Sequence, residues 1–257
     1  GPYVFTLDAG GAGTYGALTL NASTGAYTYT LASPFDTTPD ADNSTNTELA
    51  AESFAYTVTD DNGNTTTGSI VVDIVDDVPT AYADTNSVAE GADVTGNVLT
   101  DGTDDVFGAD GQGSITGVRA SGGDDTTDVT GGVGSEITGQ YGKLTLLAGG
   151  GYSYASTANG VTGNEQDVFV YTIIDADGDL STTTLTIDVA NSTLIATDTE
   201  ALVDEAALDG VGSNAAATTE AYSDTIGISG GTGPYVFTLD AGGAGTYGAL
   251  TLNASTG

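Results

Sequence analysis

The chain has 257 residues, 36 of them Asp or Glu against two basic residues (Arg119 and Lys143), and carries a formal charge of −34 with no His, Cys, Met or Trp. That balance excludes a nucleic-acid partner and disfavours an anionic membrane surface, because both are held by Lys and Arg. Thiol and imidazole chemistry are also absent, so a carboxylate pair of glycosidase type is the only conceivable catalysis; adjacent acids in a repeated sequence are better explained by a cation, and the chain is read as a non-enzyme.

Residues are 39% hydrophobic and include 13 Tyr, too apolar and aromatic for a disordered acidic tail. No run approaches the length of apolar sequence needed to cross a membrane as a helix. Taken in chain order, the apolar residues mostly step by two: Val4 and Leu7, Leu18 and Leu20, Tyr27 and Tyr29, Phe54, Tyr56 and Val58, then Ile70, Val72 and Ile74. Two is the period of a half-buried strand, and no stretch holds a helical period. Many short strands with frequent turn signals predict an all-β protein built of immunoglobulin-like Greek-key β-sandwiches joined end to end.

Two levels of repetition organise the chain. Residues 1–25 and 233–257 are identical, an offset of 232 residues. Near-identical long repeats belong to modular, quasi-one-dimensional proteins. A weaker match lies inside that period. Tyr15-Gly16-Ala17-Leu18-Thr19-Leu20 matches Tyr141-Gly142-Lys143-Leu144-Thr145-Leu146, Phe54-Ala55-Tyr56-Thr57-Val58 matches Phe169-Val170-Tyr171-Thr172-Ile173, and Asp60 to Asn64 matches Asp175 to Asp179. The expected division is therefore 1–75 as the C-terminal part of one sandwich, 76–190 as a complete sandwich, and 191–257 as the N-terminal part of the next. Each partial unit should expose strand edges, so residues 191–232 of one molecule are expected to complete residues 1–75 of another, head to tail.

The acids fall at turns and joints. Asp175, Asp177 and Asp179 place side-chain oxygens at alternate positions, as do Asp60, Asn62 and Asn64. Such spacing resembles the first half of a calcium-binding EF-hand loop without its distal Glu; an Asp-Gly or Asn-Gly hairpin needs no metal at all. The stretch Asp73-Ile74-Val75-Asp76-Asp77-Val78-Pro79 follows a predicted strand and ends on a residue that stops a ladder. A last strand over about 65–75 spans roughly 35 Å at ~3.3 Å per residue, about the length of a sandwich. The turn before it lies at the opposite pole from its end. By that geometry Asp175, Asp177 and Asp179 should face Asp76 and Asp77, and a B–C loop holding Asp101 and Asp104 should join them. Glu90 should lie at the other pole, near Asp188 and Asn191. Calcium is the cofactor expected at these oxygen-rich sites, with Asp73 among the linker ligands.

Val88-Ala89-Glu90-Gly91, Gly96-Asn97-Val98-Leu99-Thr100-Asp101, Gly108-Ala109-Asp110-Gly111 and Ile115-Thr116-Gly117-Val118 resemble the repeats of giant bacterial RTX adhesins. The Tyr-Gly-x-Leu-Thr-Leu and Asp-x-Asp-Gly-Asp segments resemble the VCBS or cadherin-like modules of the same family. The linker Asp73-x-x-Asp76-Asp77-x-Pro79 is similar to the cadherin interdomain pattern, departing from it at Val75, where cadherins place an Asn ligand. The resemblance implies calcium-rigidified extender domains, exported by a type I system to the bacterial cell surface, that hold a ligand-binding tip away from the cell in adhesion and biofilm. The partners implied are neighbouring repeats of the same chain. The second joint, Asp188 to Leu194, has fewer acids and no Pro, and is expected to bind less calcium or to bend more. The alternative is a carbohydrate- or surface-binding sandwich, in which exposed Tyr would stack on sugars; alternation of Tyr with Thr in strands favours core packing instead.

Overall fold

The computed structural model describes residues 1–35, 45, 47–197, 200–231, 233–240 and 242–256. Its regular structure is almost all strand. Residues up to 75 form β1 (Val4–Leu7), β2 (Gly16–Leu20), β3 (Tyr27–Leu31), β4 (Thr47–Thr59) and β5 (Thr65–Val75). Residues 84–190 form β6 (Asp84–Ala89), β7 (Asp93–Asn97), β8 (Ser114–Ala120), β9 (Glu136–Thr138), β10 (Gly142–Leu146), β11 (Gly151–Ser156), β12 (Glu165–Ile174) and β13 (Leu180–Ala190). Two short strands, β14 (Ile195–Thr197) and β15 (Gly227–Ser229), pair with each other, and one turn of 3₁₀ helix lies between them at Glu205–Ala207.

The stretch from β6 to β13 is a two-layer sandwich. One sheet has the order β6-β13-β12-β8 and the other β7-β11-β10-β9. Successive strands β7 and β8, and again β11 and β12, lie in opposite sheets, which is the Greek-key crossing of an immunoglobulin-like fold. β6 runs parallel to β13, Leu185 facing Asp84 and Ala190 facing Ala89, while the other pairings are antiparallel. Side-chain alternation explains the layers. Leu144 and Leu146 on β10, Tyr152 and Tyr154 on β11, and Leu185, Ile187 and Val189 on β13 point into one shared core, while Lys143, just before Leu144, and Asp188, between Ile187 and Val189, point out. Each such side chain contributes about 1.5–3 kcal/mol on burial. Strand β12 is buried on both faces. Phe169, Tyr171 and Ile173 enter the core, and Val170 and Thr172 are covered on the far side, where the Thr172 hydroxyl accepts the Val129 N–H.

Residues 1–75 repeat part of this plan. The β4–β5 hairpin carries β1 on one edge, as the β12–β13 hairpin carries β8, and β2 pairs β3 as β10 pairs β11. A shared contact ties the layers in both regions. The Asp167 carboxylate accepts the N–H groups of Gln140 and Tyr141 and the Tyr154 hydroxyl. Glu52 accepts those of Thr14 and Tyr15 and the Tyr29 hydroxyl. Burial alone would raise the Glu52 carboxyl, but these donors together hold it below its ordinary value. Residues 1–75 differ from the sandwich in what lies alongside β3 and β5: no strand pairs with the outer edge of either among the described residues, whereas β11 receives β7 and β13 receives β6.

Candidate metal centre

The β12–β13 hairpin turn holds three carboxylates in five residues. The Asp175 Oδ1 atom accepts the N–H groups of Gly178 (3.1 Å) and Asp179 (2.8 Å), and the Asp175 N–H returns to the Asp179 carbonyl (3.1 Å). These bonds fix an Asx-type turn, which leaves the second oxygen of Asp175 and both oxygens of Asp177 facing inward. All three are buried without a hydrogen-bond donor, as is Oδ2 of Asp110. One oxygen from each of Asp175, Asp177 and Asp179 lies within 4.8 Å of the others, and so does one oxygen from each of Asp76, Asp110 and Asp177. Asp177 belongs to both triplets. Asp76, Asp175 and Asp179 are buried to 3–5% exposure.

Carboxylates at that spacing repel by about 3–4 kcal/mol per pair at an effective dielectric near 20. The protein's own cations do nothing to offset this, since Lys143 pairs with Glu136 and Arg119 lies against Asp124. Burial first, then the neighbouring Asp177 carboxyl, pushes Asp175 up to about 7. Burial, followed by Asp177, Asp76 and Asp77, pushes Asp110 up to about 6. A contact between two carboxyl groups requires either a shared proton or a cation. The donor set is all oxygen and strongly anionic, with no nitrogen or sulfur, which fits a hard dication of the calcium type and not zinc or copper. The residues present therefore fit the expected cofactor.

The linker enters this cluster as the pole argument anticipates. Asp76 is in the second triplet, and Asp77 lies beside it with Oδ2 accepting the Ala109 N–H (2.8 Å). That bond anchors the Gly108–Gly111 turn that carries Asp110, and Gly108, at φ 80°, lets the backbone pass close to the Asp77 carboxylate. The β7–β8 loop does reach the joint, but through Asp110. Asp101 instead turns back, its Oδ2 capping the Asn97 N–H (2.7 Å), while Asn97 Oδ1 caps Leu99. Asp104 is exposed. The first half of the loop closes on itself and only its second half extends to the linker. Asp110 was visible in the Gly-Ala-Asp-Gly segment, and a turn signal beside a lone acid was the available hint.

Other candidates lie elsewhere. Asp73 is exposed on β5, where its Oδ1 accepts the N–H of Ala50, a residue at φ 59° in the irregularity of the β4–β5 ladder. Asp60, Asn62 and Asn64 form their own closed turn. Asp60 Oδ1 accepts the Asn62 and Asn64 N–H groups, and the Asn64 side-chain amide donates to Asp60 Oδ2 (2.9 Å). Those bonds, led by the Asn64 amide, hold Asp60 below its ordinary value. At the far pole Glu90 is buried beside the second joint. Its N–H donates to the Ala190 carbonyl and its Oε1 accepts the Ser192 N–H, while Oε2 has no donor. Asp188 points away and takes the Gln166 amide, and the Asn191 N–H donates to Asn164. Glu90 therefore reaches the joint without meeting Asp188.

A second acidic network fills the sandwich near its entry pole. The Tyr171 hydroxyl contacts Asp84 Oδ2 (3.0 Å), Asp105 Oδ2 (3.2 Å) and the Tyr82 carbonyl. Burial first, opposed by Tyr171 and reinforced by Asp105 and Asp101, pushes Asp84 up to about 6.

No protein-family model matches the chain, and no curated protein matches it. Among solved structures it aligns with the extracellular domain of protocadherin GammaB4 at 14% identity and TM-score 0.27, over 100% of this chain and 37% of that one. It aligns with the human desmocollin-1 ectodomain at 13% and 0.28, over 79% and 37%, and with Drosophila N-cadherin EC1-4 at 14% and 0.25, over 74% and 41%. The chain thus spans less than half the length of each. The sandwich assignment rests on the strand order and register above. No helix among the described residues is long and apolar enough to cross a membrane.

Proposed function

We propose that this chain is a calcium-rigidified extender segment of a large repetitive adhesin on the bacterial cell surface, of the RTX type, in which 76–190 is one whole module between two partial ones. The single observation that carries the reading is the convergence of Asp76, Asp110, Asp175, Asp177 and Asp179 at the entry of the sandwich, in two triplets of carboxylate oxygens that share Asp177, both of whose buried oxygens lack a donor. Linker, β7–β8 loop and β12–β13 turn each contribute to it. A dication bound there ties the chain before Pro79 to the module after it, and so resists bending at the joint. Asp76, Asp110, Asp175, Asp177 and Asp179 would hold the ion, and Asp77 positions the Asp110 turn. The burial of Tyr152 and Tyr154 supports core packing over a sugar-stacking role for that pair.

Because the cluster exists only in the folded chain, ion binding adds directly to folding free energy. Calorimetric melting with calcium in thousandfold excess over its Kd should show about 4 kcal/mol of added stability relative to EDTA. Small-angle scattering should show a more extended chain with calcium. A melting curve that is the same in EDTA and in calcium would sink the reading.

A further inference from the structure

The acidic network inside the entry pole of the sandwich sets one hydroxyl among more acceptors than it can serve. Tyr171 is fully buried. Its hydroxyl lies 3.0 Å from Asp84 Oδ2, 3.2 Å from Asp105 Oδ2, 3.0 Å from the Tyr82 carbonyl and 3.3 Å from the Val98 carbonyl. A phenol has one hydrogen to donate. The Tyr82 N–H serves the far oxygen of Asp105 at 2.6 Å. Asp84 is 3% exposed, and its Oδ1 is buried beside Gly102 with no donor.

One hydrogen cannot satisfy two carboxylates, and no positive group relieves them. The titratable groups facing Asp84 are Tyr171 on β12, Tyr152 on β11, and Asp101 and Asp105 on the β7–β8 loop, with Asp104 acting on Asp105. β13 sets Leu185 opposite Asp84. Arg119 and Lys143 pair elsewhere, and the chain has no His. A metal ion fits poorly. The Tyr171 hydroxyl already sits among the four oxygens, and among the described residues Asp84 belongs to no group of three acids close enough to share an ion. A proton fits. Carried on Asp84 Oδ2, it is donated to the Tyr171 oxygen and frees the Tyr171 hydrogen for Asp105 Oδ2. Asp84 Oδ1 then becomes the carbonyl oxygen of a neutral acid, which costs far less to leave unpaired than a carboxylate.

The same residues join the linker to the sandwich. Thr80 and Val106 exchange two N–H···O bonds (2.7 and 2.9 Å), and the Asp105 N–H donates to the Leu99 carbonyl. Tyr82 gives its N–H to Asp105, and its carbonyl accepts from Tyr171. We propose that a proton held on Asp84 latches linker residues 80–82 to β12 and the β7–β8 loop, so that the entry of the sandwich tightens in acid and loosens toward neutral pH without any ion. With the proton gone, two carboxylates flank one hydroxyl, and the loop carrying Asp105, the more exposed of the two, is pushed away from Asp84. Burial is the main cause that raises both acids, Asp84 to about 6. The folded state therefore holds the proton more tightly than the open one. The latch is complete below the ordinary carboxylate value and is lost as pH rises through about 6.

Amide hydrogen exchange on the whole chain, expressed as protection factors, tests this at the N–H groups of Thr80, Tyr82, Asp105 and Val106. These groups should open about tenfold more often at about pH 7.5 than at about pH 5, in saturating calcium and in EDTA alike. Asp84→Asn keeps the shape and supplies an amide donor to Tyr171, so protection at the four groups should stay high and lose its pH dependence. Asp105→Asn removes the facing charge, so the dependence should remain with its midpoint moved to lower pH, an effect that a merely structural Asp84 would not give. The carboxyl carbon of Asp84, followed by NMR, reports the proton directly and should titrate near pH 6. Titration of that carbon at the ordinary carboxylate value, wild-type protection that ignores pH, a dependence that survives in Asp84→Asn, a midpoint unmoved by Asp105→Asn, or a dependence that vanishes in calcium would each overturn the proposal.

Discussion

Two hairpin turns with the same spacing behave differently. Asp60 to Asn64 and Asp175 to Asp179 both begin on an Asp that caps its own turn, and both close with a backbone bond from position one to position five. The difference is chemical. Asn64 carries a donor, and its amide closes onto Asp60, so the exposed first turn satisfies itself. Asp177 and Asp179 carry carboxylates where the first turn has amides, and Asp177 also sits against Asp76 and Asp110, so the second turn concentrates like charge. Alternate-position oxygens are thus not enough for a cation site. The number of carboxylates without an amide among them, and the arrival of acids from other elements, are what distinguish the two turns, and only the second could hold an ion.

The largest contrast should come from charge removal. Asp177→Asn leaves the shape of the turn and removes the carboxylate common to both triplets. In EDTA the variant should melt higher than wild type, by about 1 kcal/mol or more, because like charges a few ångströms apart are relieved. In calcium it should melt lower, having lost most of the ion-dependent gain. Asn62→Ala, at the matching position of the first turn, should change neither condition by more than about 0.5 kcal/mol. Thermal melts of both variants with and without calcium decide it; a parallel response at the two turns would break the contrast.

Much of this was legible in the residues. The period-two patterning gave the all-β class, and the strand at 65–75 coincides with β5. The pole argument placed Asp76 with the Asp175 turn across about 100 residues, since a strand that crosses a sandwich fixes which ends meet. Local chemistry hid the rest. Asp101 and Asp104 share a loop with Asp110, but the Asn97 turn captures Asp101. Asp73 reads as a linker acid and is used to cap a ladder irregularity at Ala50. The identical segments set the limit most clearly. In both copies the turn at Asn21 or Asn253 and the Leu18-to-Gly11 or Leu250-to-Gly243 bond form alike. Yet Val4–Leu7 is a strand on β4, while residues 236–239 are not a strand. Leu18 is 3% exposed and Leu250 is 62%. Turns are written in adjacent residues, but a strand also requires a partner that lies far away in sequence.

The pH response should separate the two regions next. Asp175 and Asp84 are raised, to about 7 and about 6, so the folded state binds more protons than the unfolded one between the ordinary carboxylate value and those values. Stability in EDTA is then fullest at low pH within this window and falls as pH rises from about 4 to about 7. Glu52 and Asp60 in the first region are lowered. Their contribution has the opposite sign, present above the ordinary value and lost as pH falls below it. Hydrogen exchange followed across pH in EDTA should show β12 and β13 gaining protection toward acid while β4 and β5 lose it. Calcium should abolish the loss near neutral pH at β12 and β13, because the ion replaces the proton between the carboxyls. The same pH trend in both regions would contradict the assigned roles of these acids.

The smallest effect concerns the glycine in each turn. Gly63 sits at φ 82° and Gly178 at φ 124°. The first is near the left-handed region, where a side chain costs about 1–2 kcal/mol. The second lies further out, in territory populated mainly by glycine, where the strain is up to about 3 kcal/mol. Gly178→Ala should therefore destabilise more than Gly63→Ala in chemical denaturation, and it should also weaken calcium binding, since its N–H helps hold Asp175 in place. Gly63→Ala has no ion to release. Equal losses, with calcium affinity unmoved by Gly178→Ala, would mean that the wider turn serves the hairpin alone and does not aim its carboxylates.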